Sequence, residues 1–268
     1  MIKMDINAVD IFAKELVKEA GEIIKKSFSK VLNIETKSHA NDLVTNMDKE
    51  IEEYFIHKLN SHFPDHRVLG EEGVGSNPKE LSGVVWIIDP IDGTMNFIHQ
   101  QRNFAISVGI YEDGVGMIGL IYDVVHDELY HAKKGEGAYI NDKPLSPLPH
   151  VKVEEAVIGI NSTWVTQNRR IDSSILSPLV RAVRGTRSYG SAALEMAYVA
   201  AGRLDSYMTL RLSPWDFAAG IILVEEVGGV CTTLKGEKLN LLGENSVFIA
   251  NASFHDAVLK DFLHNGNW

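Results

Sequence analysis

The sequence predicts a layered α/β sandwich, α+β in its first half and α/β in its second. Three observations lead there. Long amphipathic stripes open the chain, the apolar period then drops towards two, and strands and helices alternate in the last part.

From Ile6 to Phe28 the residues Ile6, Val9, Phe12, Leu16, Ala20, Ile23 and Ile24 recur at three-to-four spacing, which predicts one long helix. A second helix begins near Thr45 or Asn46 and turns Ile51, Tyr54, Phe55 and Leu59 inward. Thr45 followed by Asp48 resembles a capping box, and Pro64 closes the segment. Residues 84–88, 105–111, 116–122 and 129–132 read as strands, with turns at Glu112-Asp113-Gly114 and around 134–137. Pro144, Pro147 and Pro149 then crowd together. They mark the expected boundary between an N-terminal α+β lobe, 1–146, and a C-terminal α/β lobe, 147–268, that completes the active site. Beyond it, strands at 156–161, 187–189, 204–209 and 247–250 alternate with helices at 173–183, 191–202, 216–227 and 254–263.

With 45% hydrophobic and 23% charged residues the chain carries enough apolar material for a substantial core. Its net charge of −10 argues against a nucleic-acid surface, which relies on clustered Lys and Arg. A single cysteine, Cys231, excludes an intrachain disulfide and a cysteine-rich zinc site. The first helix mixes acids with its apolar residues, unlike a signal peptide, and no apolar run approaches the ~20 residues that span a bilayer. A cytoplasmic protein without membrane contact is expected.

The chemistry concentrates in acids. In Trp86-Ile87-Ile88-Asp89-Pro90-Ile91-Asp92-Gly93-Thr94 an apolar strand runs into Asp89, at a strand end where sites in open sheets tend to lie. Pro90 is expected to stop the strand and turn the chain, bringing Asp92 back towards Asp89 with the Ile91 carbonyl in the same space. Two carboxylates and a carbonyl suit a hard cation such as magnesium. Gly93 and Thr94 follow at a predicted helix start, whose free N–H groups suit an anion. Taken alone, the string fits an ordinary polar turn equally well. Two further segments favour a metal site. Val68-Leu69-Gly70-Glu71-Glu72 ends an apolar run in adjacent acids, which repel unless exposed or bridged. Trp215-Asp216 opens a helix that is apolar almost all round, so Asp216 sits at a buried end.

Glu71-Glu72, Asp89-Pro90-Ile91-Asp92-Gly93-Thr94 and Trp215-Asp216-Phe217-Ala218-Ala219-Gly220 together resemble the inositol monophosphatase family of lithium-sensitive, magnesium-dependent phosphatases. The resemblance extends over nearly the whole chain, including Asp42-Leu43-Val44-Thr45 with Asp48, and Gly190-Ser191-Ala192-Ala193. It implies a five-layered αβαβα sandwich of the inositol monophosphatase and fructose bisphosphatase type, a homodimer, and two or three Mg2+ ions per active site. By the same resemblance Glu71, Asp89 and the Ile91 carbonyl hold a first metal, and Asp89, Asp92 and Asp216 a second. A third, weaker ion leans on Glu71. Gly93 and Thr94, with Asp92 and Asp216 beside them, meet the substrate's phosphate. Thr94, linked to Asp48, orients the attacking water. Gly190, Ser191 and Ala192 meet substrate hydroxyls, and Lys37 lies near the site.

Inositol-preferring members carry an acid shortly before the Trp-Asp pair, whereas 206–214 contains none here and Arg211 stands in that region. A guanidinium suits a second phosphate; solvation, or pairing with Asp205, accounts for it equally. The expected activity is hydrolysis of a small phosphorylated polyol such as inositol monophosphate by a metal-activated water. NADP 2′-phosphate and a sugar bisphosphate stand as alternative substrates of the same chemistry. A non-catalytic metal or phosphate binder is the remote alternative, disfavoured because no member of the set is missing. A polynucleotide-directed nuclease is disfavoured by the net acidity.

Overall fold

The computed structural model describes residues 4–29, 34–36 and 43–268. Lys37 and Asp42 therefore lie outside the described residues.

Helices α1 (Ile6–Ser27) and α2 (Asn46–His62) cover one face of the first sheet. Asp5 caps α1 by accepting from the N–H groups of Asn7 and Ala8, and the capping box of Thr45 and Asp48 starts α2. A short antiparallel pair, β1 (Ile34–Thr36) and β2 (Leu43–Thr45), leads into α2. The first sheet contains β3 (Arg67–Gly70), β4 (Val84–Asp92), β5 (Ala105–Glu112), β6 (Val115–Asp123), β7 (Glu128–Lys133), β8 (Ala138–Ile140) and β9 (Lys143–Pro144), side by side in chain order. Only β3 and β4 are parallel; every later neighbour is antiparallel. The short helix α3 (Thr94–Gln100) follows β4.

The second sheet is built from β10 (Val157–Ile160), β11 (Gly185–Arg187), β12 (Ser206–Leu212), β13 (Gly229–Thr232) and β14 (Asn245–Asn251), in the spatial order β11-β10-β12-β14-β13. Between the sheets lie α5 (Ala192–Ala200) and α6 (Pro214–Glu226), and on the outer face α4 (Ser173–Ala182) and α7 (Ala252–Asp261). The succession is the αβαβα sandwich that was expected. Helix pair, middle layer and outer helices each bury their own apolar cluster, including Trp86 in the first, Phe217 in the second and Phe248 in the third.

The middle helices are nearly apolar because both faces are covered, and their small residues let the sheet approach. At Gly119 a Cβ would come within 2.6 Å of the Ala219 carbonyl oxygen. The Ala218-Ala219-Gly220 run thus serves close packing, and the packing fixes where the N-terminal end of α6 points. No described helix is long and apolar enough to cross a membrane.

Two expectations about local structure need correction. Pro90 does not end the strand: β4 continues to Asp92 with a register shift against β5 between Asp89 and Asp92. A proline is tolerated in a ladder at such a bulge, where no N–H is needed. Helix α6 begins at Pro214, two residues earlier than read, because Ser213 caps it and a proline fits the first helical position.

Candidate active site

Residues three apart on a regular strand point to opposite faces. Asp89 pairs with Ser107 while Asp92 pairs with Ala105, so the bulge inserts one extra residue and restores both aspartates to the same side. The Asp89 carboxylate accepts from the Ile91 N–H at 2.9 Å, which tightens this turn. Parallel pairing of Gly70 with Ile88 carries the next residue, Glu71, alongside Asp89, and the Glu71 N–H continues the ladder to the Ile88 carbonyl at 3.2 Å. The Glu71 and Asp89 carboxyl groups lie within hydrogen-bonding reach.

Asp216 arrives from the other sheet's side. It is the third residue of α6 and accepts from the Ser213 N–H at 2.8 Å, so the helix cap holds its carboxylate. Ser107, opposite Asp89, donates to the Trp215 carbonyl at 3.1 Å and ties that helix end to β5. Asp89, Asp92 and Asp216 each offer an oxygen within 4.8 Å of the others. Asp89 and Asp92 are buried, Asp216 half-buried.

Crowded, buried carboxylates resist ionisation. Burial, then the charges of Glu71, Asp92 and Asp216, holds Asp89 well above the usual range. Asp216 is raised in the same way by burial, Asp92 and Glu71. Asp92 reaches about 6, because the Ser191 hydroxyl and the N–H groups of Ala193 and Ala192 offset part of its burial. A divalent cation would relieve this repulsion, and an all-oxygen set suits magnesium, calcium or manganese over zinc. The residues therefore fit the expected metal.

Around the cluster sit the other predicted residues. Gly93, at φ 97°, occupies a conformation that favours glycine, and a Cβ there would meet the Asn103 carbonyl at 3.1 Å. Thr94 starts α3, and its hydroxyl reaches Asp48 at 3.3 Å and the Ile91 carbonyl at 3.2 Å. Asp48 also accepts from the Thr45 N–H at 2.8 Å and hydroxyl at 2.6 Å. Burial pushes Asp48 up to about 6. Ser191, the N-cap of α5, donates to Asp92, which also accepts from the Ala193 N–H at 2.8 Å. Gly190 and Ala192 flank it. Arg211 is exposed, on a register shift of β12 between Thr209 and Leu212. No ion pair joins it to Asp205, which instead accepts from the Val157 N–H at 2.7 Å. Thr209 accepts from the Trp164 indole at 3.0 Å.

Sequence reasoning missed three supports. Buried Glu52 accepts from the N–H groups of Glu72 at 2.7 Å and Val74 at 2.8 Å, shaping the loop that carries Glu71. Glu195, also buried, accepts from the N–H groups of Tyr189 at 2.5 Å and Gly190 at 3.3 Å. Asn96 donates to the carbonyls of Asn103 and Tyr189, both at 2.7 Å. The two glutamates had a signal: Glu52 lies on the inward stripe of α2 with Asp48 and Phe55, and Glu195 is the one charge in an apolar helix.

The sequence model of the inositol monophosphatase family matches residues 5–266. An inositol-1-monophosphatase of Bacillus subtilis is 60% identical over 256 residues, 96% of this chain and 97% of its own. The staphylococcal enzyme SaIMPase-II superposes with a TM-score of 0.87 at 44% identity in its complex with inositol monophosphate, covering 96% of this chain and 94% of that one. Its complex with 2′-AMP superposes with a TM-score of 0.88 at 46% identity, covering 96% and 95%.

Proposed function

The chain belongs to the inositol monophosphatase family, and from that premise we propose that it is a magnesium-dependent phosphomonoesterase acting on a small phosphorylated polyol such as inositol monophosphate. The observation that carries this reading is the convergence of Asp89 and Asp92 from β4 and Asp216 from α6 within 4.8 Å, with Glu71 against Asp89. Glu71, Asp89 and the Ile91 carbonyl would hold one ion, and Asp89, Asp92 and Asp216 another. When bound, the ions supply Lewis acidity that lowers the pKa of water and stabilises a leaving oxygen.

The protein's own groups do the rest. Gly93 and Thr94 present N–H groups to the phosphate. The Thr94 hydroxyl accepts from the attacking water while donating to Asp48, whose carboxyl titrates at about 6 and so works as a base near neutrality. Gly190, Ser191 and Ala192 line the side where the leaving alcohol sits. We read 1–146 and 147–268 as two lobes, the first supplying Glu71, Asp89 and Asp92 and the second Asp216. A cytoplasmic homodimer completes the proposal, supported by the family resemblance and by the lone thiol of Cys231.

A second reading of the substrate follows from the exposed Arg211 and the neutral Thr209: an anionic leaving group, as in NADP 2′-phosphate or a sugar bisphosphate. SaIMPase-II has been seen bound to inositol monophosphate and to 2′-AMP, so a relative accepts a nucleoside 2′-phosphate as well as a phosphorylated polyol. Phosphate release is to be measured for myo-inositol 1-phosphate, fructose 1,6-bisphosphate and NADP, with Arg211→Ala alongside. A selective loss for the bisphosphate or NADP supports the second reading; inositol phosphate preferred by orders of magnitude with Arg211→Ala silent removes it. Asp89→Asn is expected to lower magnesium-dependent release at least ~10³-fold with the circular-dichroism spectrum unchanged. Undiminished turnover overturns the metal assignment.

A further inference from the structure

Helix α5 starts in an uncommon way. Ser191 is its N-cap and accepts from the Leu194 N–H at 3.3 Å, the usual capping contact. Glu195, one residue beyond the capping-box position, reaches back past the cap to the two residues before it. One oxygen, Oε1, takes both the Tyr189 and the Gly190 N–H. The other, Oε2, is buried and has no hydrogen-bond partner among the described residues. Strand β10 makes room for it: a Cβ on Gly159 would lie 2.8 Å from this oxygen.

A helix start can be capped without burying a carboxylate, and an unpartnered buried oxygen costs about 1–3 kcal/mol. Such a cost persists where the arrangement does something that stability alone does not require. Here the segment that Glu195 holds is the one that touches the active site. Asn96 ties the Tyr189 carbonyl from the other side at 2.7 Å, so the segment entering the cap is gripped at both its N–H and its carbonyl. Ser191 follows at once and donates to Asp92, while the Ala193 N–H meets the same Asp92 oxygen. A shift of the 189–190 backbone is therefore passed directly to the Ser191–Asp92 contact.

We propose that Glu195 is a positioning residue of the active site: by holding the Tyr189 and Gly190 N–H groups it sets the 190–192 segment against Asp92 and so fixes the wall that receives the substrate's alcohol. The inference rests on the phosphatase reading for the role of that wall, and on the hydrogen bonds alone for its construction. Glu195→Gln keeps the Oε1 acceptor; Glu195→Asp keeps the charge but withdraws it by one methylene; Glu195→Ala removes both.

The test pairs steady-state kinetics on myo-inositol 1-phosphate with amide exchange of the metal-free protein by NMR. Met196→Ala, equally buried on the same helix, serves as the control for general loosening. Glu195→Ala is expected to raise KM about tenfold or more with kcat within about threefold, Glu195→Asp to raise KM about fivefold, and Glu195→Gln to stay within about twofold. Exchange at Tyr189 and Gly190 is expected to accelerate about tenfold or more in Glu195→Ala but not in Met196→Ala. An unchanged KM in Glu195→Ala and Glu195→Asp, or the same KM rise in Met196→Ala, overturns the proposal. If Glu195→Ala fails to fold, Glu195→Asp against Glu195→Gln decides it by the same split. Should the wild-type protein release no phosphate from any substrate, the phosphatase reading fails. Amide exchange of the metal-free variants then decides whether Glu195 sets the segment: faster exchange at Tyr189, Gly190 and Ser191 in Glu195→Ala alone supports it, and unaltered exchange refutes it.

Discussion

Two buried glutamates anchor the two loops that close on the carboxylate cluster, and they do so differently. Glu52, on α2, uses both oxygens: Oε2 for Glu72, Oε1 for Val74, with Gly75 adding a third N–H. Glu195, on α5, loads one oxygen and leaves the other bare. Burial raises both above the ordinary glutamate value, Glu195 to about 7, and backbone N–H groups oppose the rise in each case. A fully bonded carboxylate is a fixed strut for the Glu71 loop. A half-bonded one holds its loop while remaining able to take up a proton near neutrality. The Glu71 loop is thus held through both oxygens of its anchor, and the 189–190 segment through one.

Removing the strut should have the largest effect on the fold. Glu52→Ala leaves three loop N–H groups without their acceptor and is expected to lower stability by about 3 kcal/mol in urea denaturation. A loss no larger than that of Glu195→Ala would erase the distinction between the two anchors. Next in size is Gly70→Ala. A Cβ there would lie within 2.6 Å of the Glu52 Oε1, so the carboxylate must move and carry the Glu71 loop with it. Magnesium affinity by calorimetry is expected to fall about tenfold while the 189–191 amides keep their exchange rates. Acceleration there as well would mean that the two anchors are coupled.

The smallest effect is in pH. Between the ordinary glutamate value of 4.5 and about 7, the folded metal-free protein keeps a proton on Glu195 that the unfolded chain has released. Stability contributed by this group is therefore greatest at the low end, falls as pH rises through that window, and is level above it. Thermal melts in chelator should show this slope, to which Asp48 and Asp92, both raised to about 6, also contribute. Glu195→Gln should flatten it by about 2–5 °C across the window. An unaltered slope would show that Glu195 does not titrate there.

Much of this architecture was legible in the residues. The three-to-four stripes of the first helices, the capping box at Thr45 and Asp48, and the apolar run ending in Asp89 each carry a local physical signal. Pro90 misled because its local preference is to stop a strand, while pairing with β5, which resumes at Asp92 opposite Ala105, carries the chain through as a bulge. Asp216 was recognisable as an acid at a buried helix end. That the helix begins at Pro214, with Asp216 as its capping-box acid, depends on where Ser213 lies. Arg211 was legible as an oddity, and its exposure on the β12 bulge came only from the fold.

By itself, then, the sequence determined the chemistry of the site, because oxygen-rich clusters, helix caps and apolar periods depend on neighbours within a few residues. Only the tertiary structure decided which acids meet. The bulge that turns Asp89 and Asp92 to one face, the ladder that sets Glu71 beside them, and the glutamates that grip loops from other elements all arise from pairing between distant segments. A hydrogen bond between residues far apart in sequence leaves no local pattern, since its geometry exists only once the layers have packed.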